Sequence, residues 1–325
     1  METKLIIVTG MSGAGKSTTS KALAKLIEKN GYPCIWYHEE MAEHPIRWAQ
    51  GGEFQVGDLR TKEGMEKNLQ DLFSRWEAFL VELQKKGGYH VMEGCLYQNI
   101  NRYFFEANMN KEEIFAFYDQ LMGLLSKVDV HVVFLCPRDV RKTLMQAFET
   151  RGERWKNIIL DEKDSGYFQD KPYVGVESIF AMYEDYKEVS KEVFKRFHGK
   201  KIKISVEGTK QEWEEHLNTL AAFLGMMPVV EEPYVPEQVF RHCGVLYNAA
   251  GERTSLEISC IEEELYLSTS WFQYMQMEPI RKDYFELMSF PIQLRFSFEE
   301  EKRFVTISGN YGWQLNGQTY EIKSE

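Results

Sequence analysis

Leu5-Ile6-Ile7-Val8-Thr9 runs directly into Gly10-Met11-Ser12-Gly13-Ala14-Gly15-Lys16-Ser17, and this junction decides the fold. The apolar run reads as a buried strand. The residues after it, Thr18-Thr19-Ser20-Lys21-Ala22-Leu23-Ala24-Lys25-Leu26-Ile27, read as an amphipathic helix, so the order is strand, Gly-rich loop, helix. Gly10, Gly13 and Gly15 let the backbone turn through conformations closed to other residues, which frees N–H groups to point at phosphate oxygens. The helix N-terminus adds partial positive charge at the same place. In this pattern Lys16 reaches the β- and γ-phosphates and the Ser17 hydroxyl ligates Mg²⁺. Gly10, Met11, Ser12, Gly13, Ala14, Gly15, Lys16, Ser17 and Thr18 are therefore the candidate nucleotide-binding residues. The expected ligand is ATP or GTP with magnesium.

A chain of 325 residues suggests about two domains. Its hydrophobic fraction of 43% and aromatic fraction of 14% suffice for packed cores. No apolar run approaches the roughly 18 residues of a membrane span. The chain enters its first strand almost at once, which leaves no room for a signal peptide. Cys34, Cys95, Cys136, Cys243 and Cys260 show no Cys-x-x-Cys pair and no histidine at metal spacing. They read as reduced thiols of a cytoplasmic protein. The net charge of −11 divides into −8 from Met227 onward and −3 before it. An acidic chain repels a polyphosphate backbone, so nucleic acid is not an expected partner; with no spanning run, neither is a membrane. The expected partners are ATP and a small-molecule substrate, and a homodimer is one expectation for assembly.

The front part alternates strand-like and helix-like runs. Strands are expected at Pro33-Cys34-Ile35-Trp36-Tyr37, Tyr89-His90-Val91-Met92, Val130 to Leu135 and Lys201 to Val206. Helices are expected over Met65–Lys86, Lys111–Lys127, Arg138–Thr150, Val174–Phe197 and Lys210–Leu224. Alternating βα units mean a parallel sheet covered by helices on both faces. The character changes at Met227-Pro228-Val229-Val230-Glu231-Glu232-Pro233-Tyr234-Val235-Pro236, an aperiodic, proline-rich linker. Short alternating runs follow, at Leu256–Ser259, Leu265–Ser268, Ile292–Phe298 and Phe304–Ile307. Asn316-Gly317, between Trp313-Gln314-Leu315 and Thr319-Tyr320-Glu321-Ile322, is a two-residue hairpin signal. The expected organisation is a nucleotide-binding domain over residues 1–226, a linker over 227–237 and a small antiparallel all-β domain over 238–325.

Phosphoryl transfer needs Mg²⁺, cations on the migrating group and a means of placing the acceptor. Ligands of open parallel sheets gather at the carboxyl ends of the strands. The second strand ends in His38-Glu39-Glu40. A carboxylate there, Glu39 or Glu40, accepts the proton of an acceptor hydroxyl, and Glu39 is the nearer to the strand. His38 is read as structural. The third strand ends in Glu93-Gly94, where an acid contacts magnesium directly or through water, as a Walker-B acid does. After the fourth strand come Arg138 and Arg141, then Arg151-Gly152-Glu153-Arg154. Arg151 and Arg154 read as lid residues that stabilise charge on the transferring group, since a guanidinium fork matches phosphate oxygens. Asp161 to Pro172 reads as an irregular, mobile loop. Arg47, Trp48, Phe54, Arg60, Tyr97, Gln98 and Asn99 are available to an acceptor pocket. The candidate catalytic set is Lys16, Glu39, Glu40, Glu93, Arg151 and Arg154, with Ser17 and Glu93 on the metal.

In motif order, the front ~225 residues resemble the thymidylate kinase and deoxynucleoside kinase branch of P-loop kinases. The marks are Gly10–Ser17, the carboxylate after strand two, Glu93, and the arginines after strand four. The resemblance implies a five-stranded parallel sheet ordered 2-3-1-4-5, an ATP donor and a lid. Deoxynucleoside kinases follow the acid of strand three with arginine and thymidylate kinases carry an Asp-Arg pair nearby, whereas here Gly94 follows Glu93. The tail resembles the small β domain appended to some penicillin-binding-protein-like serine hydrolases, through Gly244-Val245-Leu246-Tyr247, Glu264-Leu265-Tyr266-Leu267, Glu278-Pro279 and Asp283-Tyr284-Phe285. The expected function is an ATP-dependent phosphotransferase acting on a nucleoside or nucleotide-like acceptor. Two alternatives remain: a nucleotide-dependent regulator signalling through the β domain, and a kinase modifying an antibiotic or sugar nucleotide.

Overall fold

Leu5, Ile6, Ile7 and Val8 are all fully buried, which makes β1 (Thr3–Gly10) the centre of a sheet covered on both faces. The computed structural model describes residues 3–47, 61–207, 210–229, 234–270, 272–300, 302–310 and 315–324, with the backbone alone at 98, 99, 210 and 211. β1 pairs in parallel with β3 (Gly88–Glu93), where Ile6 faces Val91, and with β4 (Asp129–Pro137), where Ile6 faces His131. β2 (Cys34–Tyr37) lies outside β3 and β5 (Lys200–Val206) outside β4, so the order is the expected 2-3-1-4-5. This is the P-loop NTPase fold. The helices fall into two packing groups. α1 (Lys16–Lys29) meets α7 (Lys210–Leu224), while α2 (Lys62–Lys86) packs on α4 (Lys111–Leu125), and α3 (Gln98–Glu106) and α4 pack on α6 (Val176–Arg196).

Local chemistry sets the helix ends. Thr61 caps α2 by accepting from the Gly64 N–H at 3.1 Å, and Met65, Leu72, Trp76, Phe79, Leu80 and Leu83 form its buried face. Asn110 and Glu113 close a reciprocal capping box at α4. α3 is absent from the sequence expectations, which run residues 97–99 straight off strand three. Its first turn has no acid and Tyr97 makes no side-chain cap bond, so the usual start signals are missing. α5 (Val140–Leu160) runs further than expected, with its helical geometry broken at Gly152. Asp161–Asp164 and Gly166–Phe168 are 3₁₀ turns rather than an irregular loop. They are anchored by buried Glu162 beside Arg102 at 2.9 Å and by the Tyr167 hydroxyl, which donates to Asp185 at 2.6 Å.

By contacts the chain forms two compact units, residues 1–39, 43–145 and 158–229, and residues 40–42, 146–157 and 230–325. The second unit holds a closed antiparallel barrel of β6 (Gly244–Tyr247), β7 (Arg253–Ile261), β8 (Glu264–Ser268), β9 (Met275–Arg281), β10 (Tyr284–Leu287), β11 (Ile292–Glu299), β12 (Lys302–Gly309) and β13 (Gln318–Lys323). β13 closes it onto β6, with Ile322 opposite Leu246. Alternate residues fill the interior: Leu256 and Ile258, Leu265 and Leu267, Met275 and Met277, Leu294 and Phe296, Val305 and Ile307. Closure removes the exposed edges that an open sheet of this size would carry.

The Asn316-Gly317 hairpin differs from expectation. Leu315 to Gly317 is a turn entering β13, whose partner is β12, and residues 313 and 314 of the expected strand lie outside the described residues. Asn316 Oδ1 accepts from the Gly309 N–H at 3.0 Å, so the pair closes a longer β12–β13 connection. No helix among the described residues is long and apolar enough to cross a membrane.

Candidate nucleotide and acceptor site

The Gly-rich loop leaves β1 at Gly10, whose φ of 151° brings the backbone against β4. An added Cβ would lie 2.4 Å from the Leu135 carbonyl oxygen, so only glycine fits. Gly15 caps α1 in the left-handed region, at φ 83°, and supplies no side-chain capping bond. The first N–H groups of α1 are thereby left to an anion. Lys16 is buried and its Nζ donates to the Met11 carbonyl at 2.9 Å, bending back over its own loop.

The Ser17 hydroxyl donates to Glu93 Oε1. Glu93, at the end of β3, is fully buried, and His38 Nε2 stands 3.3 Å from its Oε2. That oxygen has no hydrogen-bond partner among the described residues. The Glu39 N–H donates to the same carboxylate. Burial holds the Glu93 carboxyl well above the usual range, and the charge of Glu39 adds to the rise, while Lys16, Ser17 and the Glu39 N–H oppose it. The Ser17 hydroxyl and the Glu93 carboxylate it meets are hard-oxygen donors of the kind that suit Mg²⁺. Ser17 and Glu93 would hold the ion, and no cluster of three or more acidic, histidine or cysteine ligands occurs among the described residues.

Residues 6–154 match the AAA domain family. Comparison with curated proteins finds no match. Among solved structures, a deoxyadenosine kinase from M. mycoides with bound dATP is 17% identical, with 66% of this chain and 98% of that one covered and a TM-score of 0.37. A full-length tRNA isopentenylpyrophosphate transferase from Bacillus halodurans is 14% identical, over 69% of this chain and 97% of that one, at a TM-score of 0.30.

Beyond Glu93 the chain turns sharply, with Gly94 at φ 67° and Cys95 at φ 59°. The Gly94 N–H returns to the Val8 carbonyl at 2.8 Å and the Tyr97 N–H to Thr9 Oγ1 at 3.1 Å, which pins the turn to β1. After β2, buried His44 accepts at Nδ1 from the N–H groups of Ile46 (3.1 Å) and Arg47 (2.9 Å). Its proton therefore sits on Nε2, 3.7 Å from Cys95 Sγ. Burial, with the Arg47 charge, pushes the His44 ring down to about 4, so it is neutral at pH 7. The loop it fixes carries Arg47, whose Nη1 donates to the Glu39 carbonyl at 2.6 Å.

The Glu39 charge raises Cys95, Tyr103 and Tyr186 as well as Glu93, although burial is the larger cause at each. Its carboxylate is therefore central to this end of the sheet. Burial raises the Tyr103 phenol on α3, and the charges of Arg102, Glu106, Arg47 and Glu39 all act on it. Arg102 Nε lies 2.8 Å from Glu106 Oε1 and 2.9 Å from Glu162 Oε1, a guanidinium shared by two buried carboxylates. Burial would lower Arg102, but Glu162, Tyr183 and Glu106 hold it above its ordinary value.

The remaining expected residues divide. Glu40 groups with the second unit, as do Arg151 and Arg154. In that unit the Arg151 guanidinium lies 4.7 Å from the Trp155 ring and 5.6 Å from that of Phe272. The Gln273 N–H donates to the Thr150 carbonyl at 3.0 Å, and an added Cβ at Gly152 would meet Gln273 Nε2 at 3.1 Å. Arg138 pairs with Glu207 and Arg141 with Glu177 on the surface. Tyr97 is a core residue between Tyr118 and Phe134. Trp48, Phe54, Arg60 and the side chains of Gln98 and Asn99 lie outside the described residues. His44, Cys95, Arg102 and Tyr103 carry no sequence pattern, because each acquires its place only when α3 and the residue 43–47 turn are folded.

Proposed function

We propose that the chain is a magnesium- and ATP-dependent phosphotransferase that phosphorylates a hydroxyl of a small, nucleoside-like acceptor. The observation that carries this is the meeting of Ser17, Glu93 and Glu39: a phosphate-loop hydroxyl and a backbone N–H on one buried carboxylate, with a second carboxylate beside it. Lys16 and the α1 N-terminus bind the phosphates and Lys16 follows charge onto the β–γ bridge. When bound, Mg²⁺ neutralises the β- and γ-oxygens. Glu39, or Glu40 next to it, takes the hydroxyl proton as the acceptor oxygen bonds to the γ-phosphorus and the bond to ADP breaks.

A hydroxyl acceptor fits better than a phosphate. Two guanidinium groups near this end of the sheet are already engaged, Arg47 on the Glu39 carbonyl and Arg102 on two carboxylates. An acceptor phosphate would need such a fork, and would enter a field dominated by carboxylates. Residues 1–226 are the phosphoryl-transfer domain in this reading, 227–237 the linker and 238–325 the barrel. Arg151 and Arg154 act as lid cations, steadied by the barrel loop around Phe272 and Gln273.

ATP consumption measured against nucleosides and other alcohols, in parallel with nucleoside monophosphates, tests the proposal. Turnover is expected with a hydroxyl compound, and turnover confined to monophosphates would overturn the acceptor class.

A further inference from the structure

Phe240 is 73% exposed and Val235 76%, yet the turn that carries Phe240 is firmly held. His242 ends this 3₁₀ turn, Val239–His242, and is buried, with Nδ1 3.1 Å from the Val239 carbonyl and Nε2 3.1 Å from Asp283 Oδ1. Its ring meets Phe285, Phe296 and Phe298 edge-on. Arg303 on β12 donates to the Arg241 carbonyl at 3.1 Å and to the Cys243 carbonyl at 3.0 Å. Arg241 itself pairs with Asp283 and lies 4.2 Å from the Phe298 ring. Phe240 therefore projects into solvent from a backbone that is already ordered, which lowers the cost of ordering it against a partner. Residues 235–241 and Glu263 line a groove of about 530 Å³ at this turn.

Two carboxylates of that groove, Glu237 and Glu263, form no ion pair among the described residues, and exposed Glu262 adjoins Glu263. The cation of the lining, Arg241, is taken up by Asp283. The sequence around the groove has the same sign, with a balance of −8 from Met227 onward. A large exposed aromatic in an acidic groove selects a basic occupant, because complementary charge steers encounter and like charge is rejected. A second copy of this chain, at a net charge of −11, carries the wrong sign, and so do an anionic lipid surface and a polyphosphate. We infer that this groove docks a basic segment of a partner protein. The segment sets an apolar side chain against Phe240 and Val235, and lysine or arginine on Glu237 and Glu263.

The test uses the whole chain and three short fluorescein-labelled peptides, built from lysine and leucine, lysine and serine, or glutamate and leucine, read by fluorescence anisotropy. The lysine–leucine peptide should bind, less tightly as salt rises, and about tenfold more tightly than the lysine–serine peptide, while the glutamate–leucine peptide should not bind. Phe240→Ser should weaken the lysine–leucine complex at least about tenfold and leave the thermal unfolding midpoint unchanged, since the side chain is exposed. Glu237→Gln combined with Glu263→Gln should weaken the same complex and flatten its salt dependence. Failure of the lysine–leucine peptide to bind would overturn the inference. So would binding indifferent to both sets of substitutions, which is general attraction to an acidic chain. Self-association in light scattering that Phe240→Ser removes would assign the face to a second copy and overturn it as well.

Discussion

The two units bury different chemistry. At the carboxyl end of the front sheet, the interior holds Glu93, His38, Lys16 and Thr9, and close by Glu106 and Glu162. The barrel interior is aliphatic and aromatic, and His242 is its one buried polar residue among those described. Even that histidine is answered by Asp283 and the Val239 carbonyl, both at 3.1 Å. Burying a charge costs free energy unless it is paired, so charges persist inside a fold where they contribute something besides stability. The front unit accepts that cost at one end of its sheet. The barrel avoids it almost everywhere.

The sharpest way to break the contrast is to remove the phosphate-loop cation. Lys16→Ala should lower ATP turnover by at least about three orders of magnitude while leaving far-UV circular dichroism unchanged, because the side chain aims at charge on the transferring group. Unaltered Mg·ATP affinity and turnover in that variant would end the phosphate-loop assignment. Next comes Glu39→Gln, expected to reduce kcat by about two to four orders of magnitude with little change in ATP affinity. If Glu40→Gln shows the larger loss, the base is the neighbour, and activity retained in both variants returns a phosphate acceptor to consideration.

The barrel should answer in stability instead. Phe285 is buried in edge-to-face contact with Phe296 and His242, and Phe285→Ala should cost about 3–5 kcal/mol of barrel stability in denaturant titration. Mg·ATP binding, followed by equilibrium dialysis, should persist in that variant. A chain ended after Met226 should likewise bind Mg·ATP yet lose acceptor turnover, since the Arg151 segment loses its partners at Phe272 and Gln273. Retained turnover would show that the lid works without the barrel.

The smallest effect concerns pH. The folded His44 ring ionises near 4, against 6.5 in the unfolded chain. The neutral ring therefore contributes stability that is complete above pH 6.5 and is lost as pH falls towards 4. The linked loss is about 3 kcal/mol across that window. Because other histidines and carboxylates titrate there too, the measurement is a difference: His44→Gln should show a shallower decline of unfolding free energy than the wild type between pH 6.5 and 4. Parallel declines would mean that His44 is not the buried neutral ring at this turn.

Much of the front unit was legible because its signals are local. The Gly10–Ser17 pattern, the alternation of strand and helix, and an acid directly after an apolar strand are short-range facts, and β1 to β5 and most helix ends follow them. α3 was not legible, since nine residues without a capping side chain or a first-turn acid carry no start signal. Alternation and the turn signal gave β7, β8, β11, β12 and β13, but neither β6, β9 and β10 nor the closure was legible. Whether eight strands curl shut depends on β13 finding β6 across the full length of the unit.

The site divides in the same way. The sequence by itself placed Glu39 and Glu93 just past or at strand ends, and Lys16 and Ser17 where the Gly-rich loop opens into a helix, because a loop follows each buried run. Only the tertiary structure decided what they meet there: Ser17 on Glu93, His38 beside the same carboxylate, and Arg102 shared between Glu106 and Glu162. It also decided that Arg151 lies against Phe272, more than a hundred residues away in the chain. Periodicity and turn chemistry act over a few residues, whereas the burial that sets a charge's partners, and its pKa, is fixed only when distant segments close around it.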